Sequence, residues 1–268
     1  AGEVVWHREL ADTPFAITAI DLDLDGELII SDHQGDGNGA IYTLEPNAVA
    51  ADASEFPRTL SDSGLFASVA EHVPAEGAIP YSVNSPLWSD GTYKERFLAL
   101  PPFGDDGTSP PLITFHPRNS WTFPNGTVLV KSFALETGEG DSASRRWIET
   151  RFMHREQNEW VGYSYRWNDD QTDAVLVPKE GADATFEVQT ADGVDVRPWR
   201  YPSRTECMVC HSRAANYLLG LSTPQLHCDH DYAGASDNQL RVFEHLGLFN
   251  NDWQAAAIAE LRADLSGE

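Results

Sequence analysis

Thr127-Val128-Leu129-Val130-Lys131-Ser132-Phe133, Trp147-Ile148-Glu149-Thr150-Arg151-Phe152-Met153-His154 and Trp160-Val161-Gly162-Tyr163-Ser164-Tyr165-Arg166-Trp167 are three runs rich in β-branched and aromatic residues. They lie in a stretch, from about Leu60 to Arg200, that is dense in Pro, Gly, Trp and Tyr. Short strands punctuated by turn residues predict an antiparallel sandwich or barrel rather than alternating βα units. In the second run, alternation puts Ile148, Thr150, Phe152 and His154 on one side of the strand and Glu149, Arg151 and Met153 on the other. Trp88, Trp121, Trp160, Trp167 and Tyr163 are expected to pack the β core, with a sugar-stacking platform as the competing reading.

Upstream, Val4 and Trp6 and then Ile17 and Ile20 lead into Gly26-Glu27-Leu28-Ile29-Ile30-Ser31-Asp32, and Ala40-Ile41-Tyr42-Thr43-Leu44 resumes the extended pattern after a glycine-rich loop. Two such runs form a hairpin with a long loop. Asp21, Asp23, Asp25 and Asp32 match the first half and last position of a calcium loop. The final glutamate is missing and the flanks read as strand, so an ordinary β-turn competes with Ca2+ there. Residues 46 to 60, with Pro46, Pro57 and an alanine-rich middle, read as a linker.

Downstream of Arg200 the character turns helical. Ser203 with Glu206, and Ser236 with Gln239, have capping-box form. Leu240, Phe243 and Leu246 make an apolar stripe that Gly247 ends, and a last helix is expected from Asn251 or Asp252 to about Leu265. The fold class expected is therefore mainly β with a C-terminal α-helical segment. The organisation is read as 1–47 terminal β-strands, 48–200 a β-rich domain and 201–268 a helical segment.

That segment carries Cys207-Met208-Val209-Cys210-His211. A helix starting after Ser203 sets Cys207 and Cys210 one turn apart with His211 beside them, which suits two thioether bonds to a haem and an imidazole bond to its iron. The cofactor predicted is one covalent haem c, held by Cys207, Cys210 and His211. A thioredoxin-like site would need a preceding strand in a βαβ unit, whereas Trp199-Arg200-Tyr201-Pro202 precedes this one. Zinc is the stronger rival, because Cys207, Cys210, Cys228 and His230 form a C-x-x-C…C-x-H set. For the iron face opposite His211, a high-potential carrier would use methionine. Of the two methionines, Met208 sits between the anchoring cysteines, which leaves Met153. His154 is the alternative if the apolar side of its strand faces the haem, and an open sixth position is the third option. His7, His33, His72, His116 and His245 are scattered, and Cys228 is left over as an odd thiol.

Composition narrows the partners. The 268 residues suffice for a core without disulfide staples. Forty-two acidic against eighteen basic residues give a formal charge of −24, which argues against nucleic acid as a partner; such a lysine-poor surface either serves solubility in salty surroundings, the preferred reading, or meets a basic partner. No run is apolar enough for a membrane span, and no signal segment opens the chain at Ala1, so it reads as a mature or excised soluble piece.

Several motifs resemble a family of secreted bacterial haem c proteins. They are Phe56-Pro57-Arg58-Thr59-Leu60-Ser61-Asp62-Ser63-Gly64-Leu65-Phe66, Val83-Asn84-Ser85-Pro86-Leu87-Trp88-Ser89-Asp90-Gly91, Trp121-Thr122-Phe123-Pro124-Asn125-Gly126-Thr127, Glu149-Thr150-Arg151, Gly162 to Asn168, and Pro202-Ser203-Arg204 through His211. The resemblance covers roughly residues 56 to 250. Members are often fused behind a β-propeller similar to glucose or sorbosone dehydrogenases that use pyrroloquinoline quinone, and residues 1 to 47 look like the closing strands of such a propeller. The resemblance implies an electron-transfer module of periplasmic or extracellular location, accepting electrons from an upstream dehydrogenase domain or a redox partner protein. It implies no sugar oxidation by this chain itself. Trp121-x-Phe-Pro-x-Gly with Lys131 is also similar to β-rich haem proteins of the P460 kind, which implies an open-site catalytic or gas-binding haem as the alternative. A zinc-stapled structural or carbohydrate-binding module is the third reading.

Overall fold

In a computed structural model, residues 17–33, 39–44, 56–102, 112–156, 158–212 and 216–250 are described. Val4, Trp6, His7, the loop at 34–38, the linker at 46–55 and the expected last helix over 251–265 lie outside them. The chain divides into two units, Ala1–Phe56 and Pro57–Glu268.

The first unit holds an antiparallel sheet of β1 (Ile17–Leu22), β2 (Leu28–Asp32) and β3 (Ala40–Thr43), in that order. The β1–β2 turn is closed by the Asp23 carboxylate, whose Oδ1 accepts from the backbone N–H groups of Asp25 (2.8 Å) and Glu27 (2.9 Å). Gly26 takes φ 86° there, a left-handed conformation open to glycine. This is β-turn chemistry.

In the second unit, β4 (Phe66–Ser68) pairs with β5 (Val73–Pro74). Then come β6 (Ile79–Pro80), β7 (Tyr93–Ala99), β8 (Val128–Glu136), β9 (Arg145–Glu156), β10 (Glu159–Trp167) and β11 (Ala174–Leu176). They form one six-stranded antiparallel sheet in the order β11-β10-β9-β8-β7-β6. The six strands do not close into a barrel, and β11 is flanked by the 58–60 segment through an antiparallel bridge of Thr59 with Val175. The hairpin of β12 (Ala182–Thr190) and β13 (Gly193–Tyr201) follows. The expected linker ends early, because Leu60 is fully buried, its N–H bonded to the Ala174 carbonyl, and Tyr165 donates to the Pro57 carbonyl at 3.0 Å.

The expected C-terminal helical segment is not what forms. Among the described residues it contains α1 (Arg204–Cys210), α2 (Thr223–Leu226), the short ladder of β14 (Asp229–Asp231) with β15 (Ser236–Asn238), and α3 (Gln239–His245). The backbone explains the correction. Asn216, Tyr217, Gly220, Ala233, Gly234 and Gly247 all adopt positive φ, and a left-handed residue cannot continue a right-handed helix. Helices this short are not stable alone and are held by packing. Leu226, Leu240 and Phe243 are fully buried, in one core with Leu98, Leu129, Met153 and Trp160 of the main sheet. Trp121, Trp160 and Trp167 are core residues as expected; Trp88 is not, being 74% exposed.

The cross-strand register fixes what each face of the main sheet carries. Leu98, Leu129 and Met153 stand at one level, Arg96, Lys131 and Arg151 at the next, and Lys94, Phe133 and Glu149 at the third. Trp160, Gly162 and Ser164 of β10 complete this face. At one end it packs on the C-terminal segment, and at the other Phe133 packs on Trp199, their rings 5.6 Å apart.

Candidate functional site

Helix α1 begins where the sequence places it. Ser203 Oγ accepts from the Glu206 N–H at 3.1 Å, and Glu206 Oε2 accepts from the Ser203 N–H at 2.7 Å, closing a capping box. Arg200 adds a hydrogen bond of 2.9 Å to the same carboxylate. The bond from the Ser203 backbone, then Arg200, draws the Glu206 carboxyl down to about 2. Seven residues on, the helix stops: His211 leaves helical geometry at φ −84°, ψ 56°.

Cys207 and Cys210, three residues apart, share one side of this single helical stretch. Cys210 is exposed and Cys207 half-buried, and both thiols are free. Cys207 lies on Gly162 of β10. A Cβ at Gly162 would stand 2.6 Å from both Cβ and Sγ of Cys207 and 3.5 Å from Met153 Sδ. A glycine inside a strand marks such a close approach. Gly162→Ala is therefore expected to destabilise the fold by about 1–3 kcal/mol through overpacking, despite the better strand propensity of alanine. Thermal or denaturant unfolding checks this, and an unchanged or raised stability would mean that α1 is not seated on β10.

Among the described residues, the His211 ring makes one hydrogen bond. Its Nδ1 lies 2.6 Å from the Tyr217 carbonyl. A carbonyl only accepts, so Nδ1 carries the hydrogen and the lone pair of the neutral ring sits on Nε2. Burial lowers the imidazole pKa, opposed by the Tyr217 bond and assisted by Lys131 and Arg151, so the neutral form is favoured. The turn that delivers the carbonyl is strained: Asn216 (φ 48°) and Tyr217 (φ 60°) are successive non-glycine residues in the left-handed region, costing about 1–3 kcal/mol each.

Met153 is buried in the large core, on the face that meets Cys207; His154 takes the opposite face by alternation. The zinc set is not assembled. Cys228 Sγ accepts from Gln239 Nε2 at 3.0 Å and His230 Nδ1 lies 2.8 Å from Ser82 Oγ. Among the described residues no group of three or more His, Cys, Asp and Glu is placed to hold a metal ion, the aspartates at 21, 23, 25 and 32 included. A surface depression lined by Asp90, Asp183, Thr185, Trp199 and Arg200 contains none of the motif residues.

The donor set thus fits a haem: two free thiols at i and i+3, and a neutral imidazole with Nε2 available. One contributor had no side-chain signal in the sequence. The Tyr217 carbonyl is backbone, and its turn contains no glycine at the left-handed positions. Gly162 did carry a signal, as a glycine amid β-branched and aromatic residues. In comparisons with family models, curated proteins and solved structures, none matches this chain.

Proposed function

We propose that this chain is a c-type haem protein that transfers electrons, with Cys207 and Cys210 as the covalent anchors and His211 as an iron ligand. The observation that carries the reading is the 2.6 Å bond from His211 Nδ1 to the Tyr217 carbonyl. Histidines that ligate metals almost always donate their other ring nitrogen to an outer partner, which fixes tautomer and orientation. Haem, when bound, supplies a one-electron ferric–ferrous couple. The residues of the chain tune it. Tyr217 orients His211, burial favours the neutral imidazole, and Met208, between the two cysteines, packs on the apolar core that holds Leu98, Leu129 and Trp160.

The reading carries a location outside the cytoplasm, periplasmic or extracellular, and a donor that is an upstream sugar-oxidising domain or a separate redox protein. A charge of −24 suits a basic partner, reached faster at low salt. No helix among the described residues is long and apolar enough to cross a membrane.

The test is the absorbance spectrum of the chain produced with a haem-attachment machinery. A haem c spectrum supports the reading; a colourless protein ends it. Met153 is the sixth ligand of choice, since it shares the Cys207 face. Met153→Leu, which conserves volume, is expected to lower the reduction potential and turn a low-spin ferric spectrum high-spin, while His154→Ala leaves both unchanged. The reverse pattern would assign His154, and a wild-type ferric spectrum that is already high-spin would favour the open-site alternative.

A further inference from the structure

Three adjacent strands place a basic residue at the same level. Arg96 of β7, Lys131 of β8 and Arg151 of β9 are direct cross-strand partners, and Lys94 follows on the same face. Like charges directly opposed on a sheet destabilise it. Yet four of only eighteen basic residues gather here, in a chain with forty-two acidic ones. All four are partly buried.

The row is bracketed by packed apolar residues, with Leu98, Leu129 and Met153 on one side and Phe133 against Trp199 on the other. Lys131 Nζ and the Arg151 guanidinium lie over the Phe133 ring, at 5.0 and 4.6 Å. Glu149 is hydrogen-bonded to Arg151, at 2.6 and 2.9 Å, and acts on Lys131 only through space. Lys94 reaches the Thr92 carbonyl at 3.3 Å. Among the described residues, neither the Arg96 guanidinium nor the Lys131 ammonium is hydrogen-bonded or paired in a salt bridge. Burial, then Arg96, Arg151 and Lys94, opposed by Glu149, push the Lys131 ammonium down to about 7. The row shares its sheet face with the motif: Cys207 stands against Gly162, whose cross-strand partner Met153 lies two residues from Arg151 on that face.

Resting on the haem reading, we propose that Arg96 and Lys131, flanked by Lys94 and Arg151, form a carboxylate-binding site on the sheet face that meets the Cys207–His211 motif. An arginine fork binds a carboxylate through two parallel hydrogen bonds, and a lysine adds a point charge. A carboxylate seated there supplies the missing acceptors and cancels the repulsion along the row. The carboxylates come either from the propionate groups of the haem itself or from a small soluble polycarboxylate.

The sign of a mutational effect separates these sources. Lys131→Met and Arg96→Met keep an apolar stem and remove the charge. In wild-type chain made without the attachment machinery, Arg96 and Lys131 lack an ion-pair partner, so each substitution is expected to raise the thermal midpoint. If propionates fill the row, the same substitutions lower the midpoint of the haem-loaded protein, and added citrate changes that protein little. If a soluble polycarboxylate fills it, the substitutions still raise the midpoint of the loaded protein. Citrate at about a hundred times its Kd then lifts the loaded wild type by about 5–10 °C and the variants by none. Substitutions that act with the same sign in both forms, together with no citrate response specific to the wild type, overturn the proposal. Should no haem attach, the haem reading fails alone, and the citrate response of the colourless wild type still decides the site.

Discussion

Replacing Cys207 and Cys210 together by alanine is expected to convert haem retention from complete to none: all pigment should pass into acidified organic solvent, while the wild type keeps its own. Both thiols are free and sit three residues apart on α1, and Cys228 is the one cysteine besides them in the chain. Non-covalent haem held by His211 alone would be released once acid protonates the imidazole, whereas thioethers survive. The two single variants should differ. Cys210 is exposed, so its replacement costs one bond and little stability. Cys207 rests on Gly162, and its replacement also removes a sulfur from a close contact in the protein. Haem that remained bound to the double variant after extraction would refute the assignment of the anchors. A colourless wild type containing zinc would refute the cofactor as well.

The strands were legible because they alternate. The expected runs 127–133, 147–154 and 160–167 correspond to Val128–Glu136, Arg145–Glu156 and Glu159–Trp167. Placing Glu149, Arg151 and Met153 on one face of the second run was also correct. Its consequence was harder to read, since a face carrying a glutamate and an arginine looks like a solvent face. Here Glu149 is fully buried beneath the β12–β13 hairpin, bonded by Arg151 and by Trp199 Nε1 at 2.8 Å. Trp199 lies fifty residues further along the chain, so nothing local announces that burial. The row of cations was hidden for the same reason, because it exists only once the register of three strands is known.

The helix caps show where local signals end. Ser203 with Glu206 and Ser236 with Gln239 have the same pattern, yet only the first forms a capping box. Ser236, Asp237 and Asn238 are claimed by the ladder with Asp229–Asp231, and the cap passes to Asn238, whose side chain accepts from the Leu240 N–H at 3.1 Å. Gly247 does end that helix, at φ 68°, as its position suggested. The motif at Cys207 was legible as a string of residue types, but the bond that gives it chemical sense, from His211 to Tyr217, depends on a strained turn that composition does not encode.

Glu149→Ala is expected to cost about 3 kcal/mol, lowering the thermal midpoint by about 6–12 °C for a unit of this size. Two losses contribute. Trp199 Nε1 would be left buried without its acceptor, which costs about 1–3 kcal/mol. Arg151 would lose its two bonds to the carboxylate and join Lys131 and Arg96 as a third cation in the row without an ion-pair partner. Arg151 is 34% exposed, so water screens part of that charge and holds the total below the upper range for a fully buried pair. Glu149→Gln separates the two losses, since its amide oxygen can still accept from Trp199 while the charge is gone. If orphaning Trp199 dominates, Gln restores most of the stability; if the cation row dominates, Gln is nearly as damaging as Ala, and Lys131→Met in the same chain recovers it. A double-mutant cycle between positions 149 and 131 measures this coupling directly. A coupling near zero would mean that the row does not depend on Glu149 for its internal counter-charge.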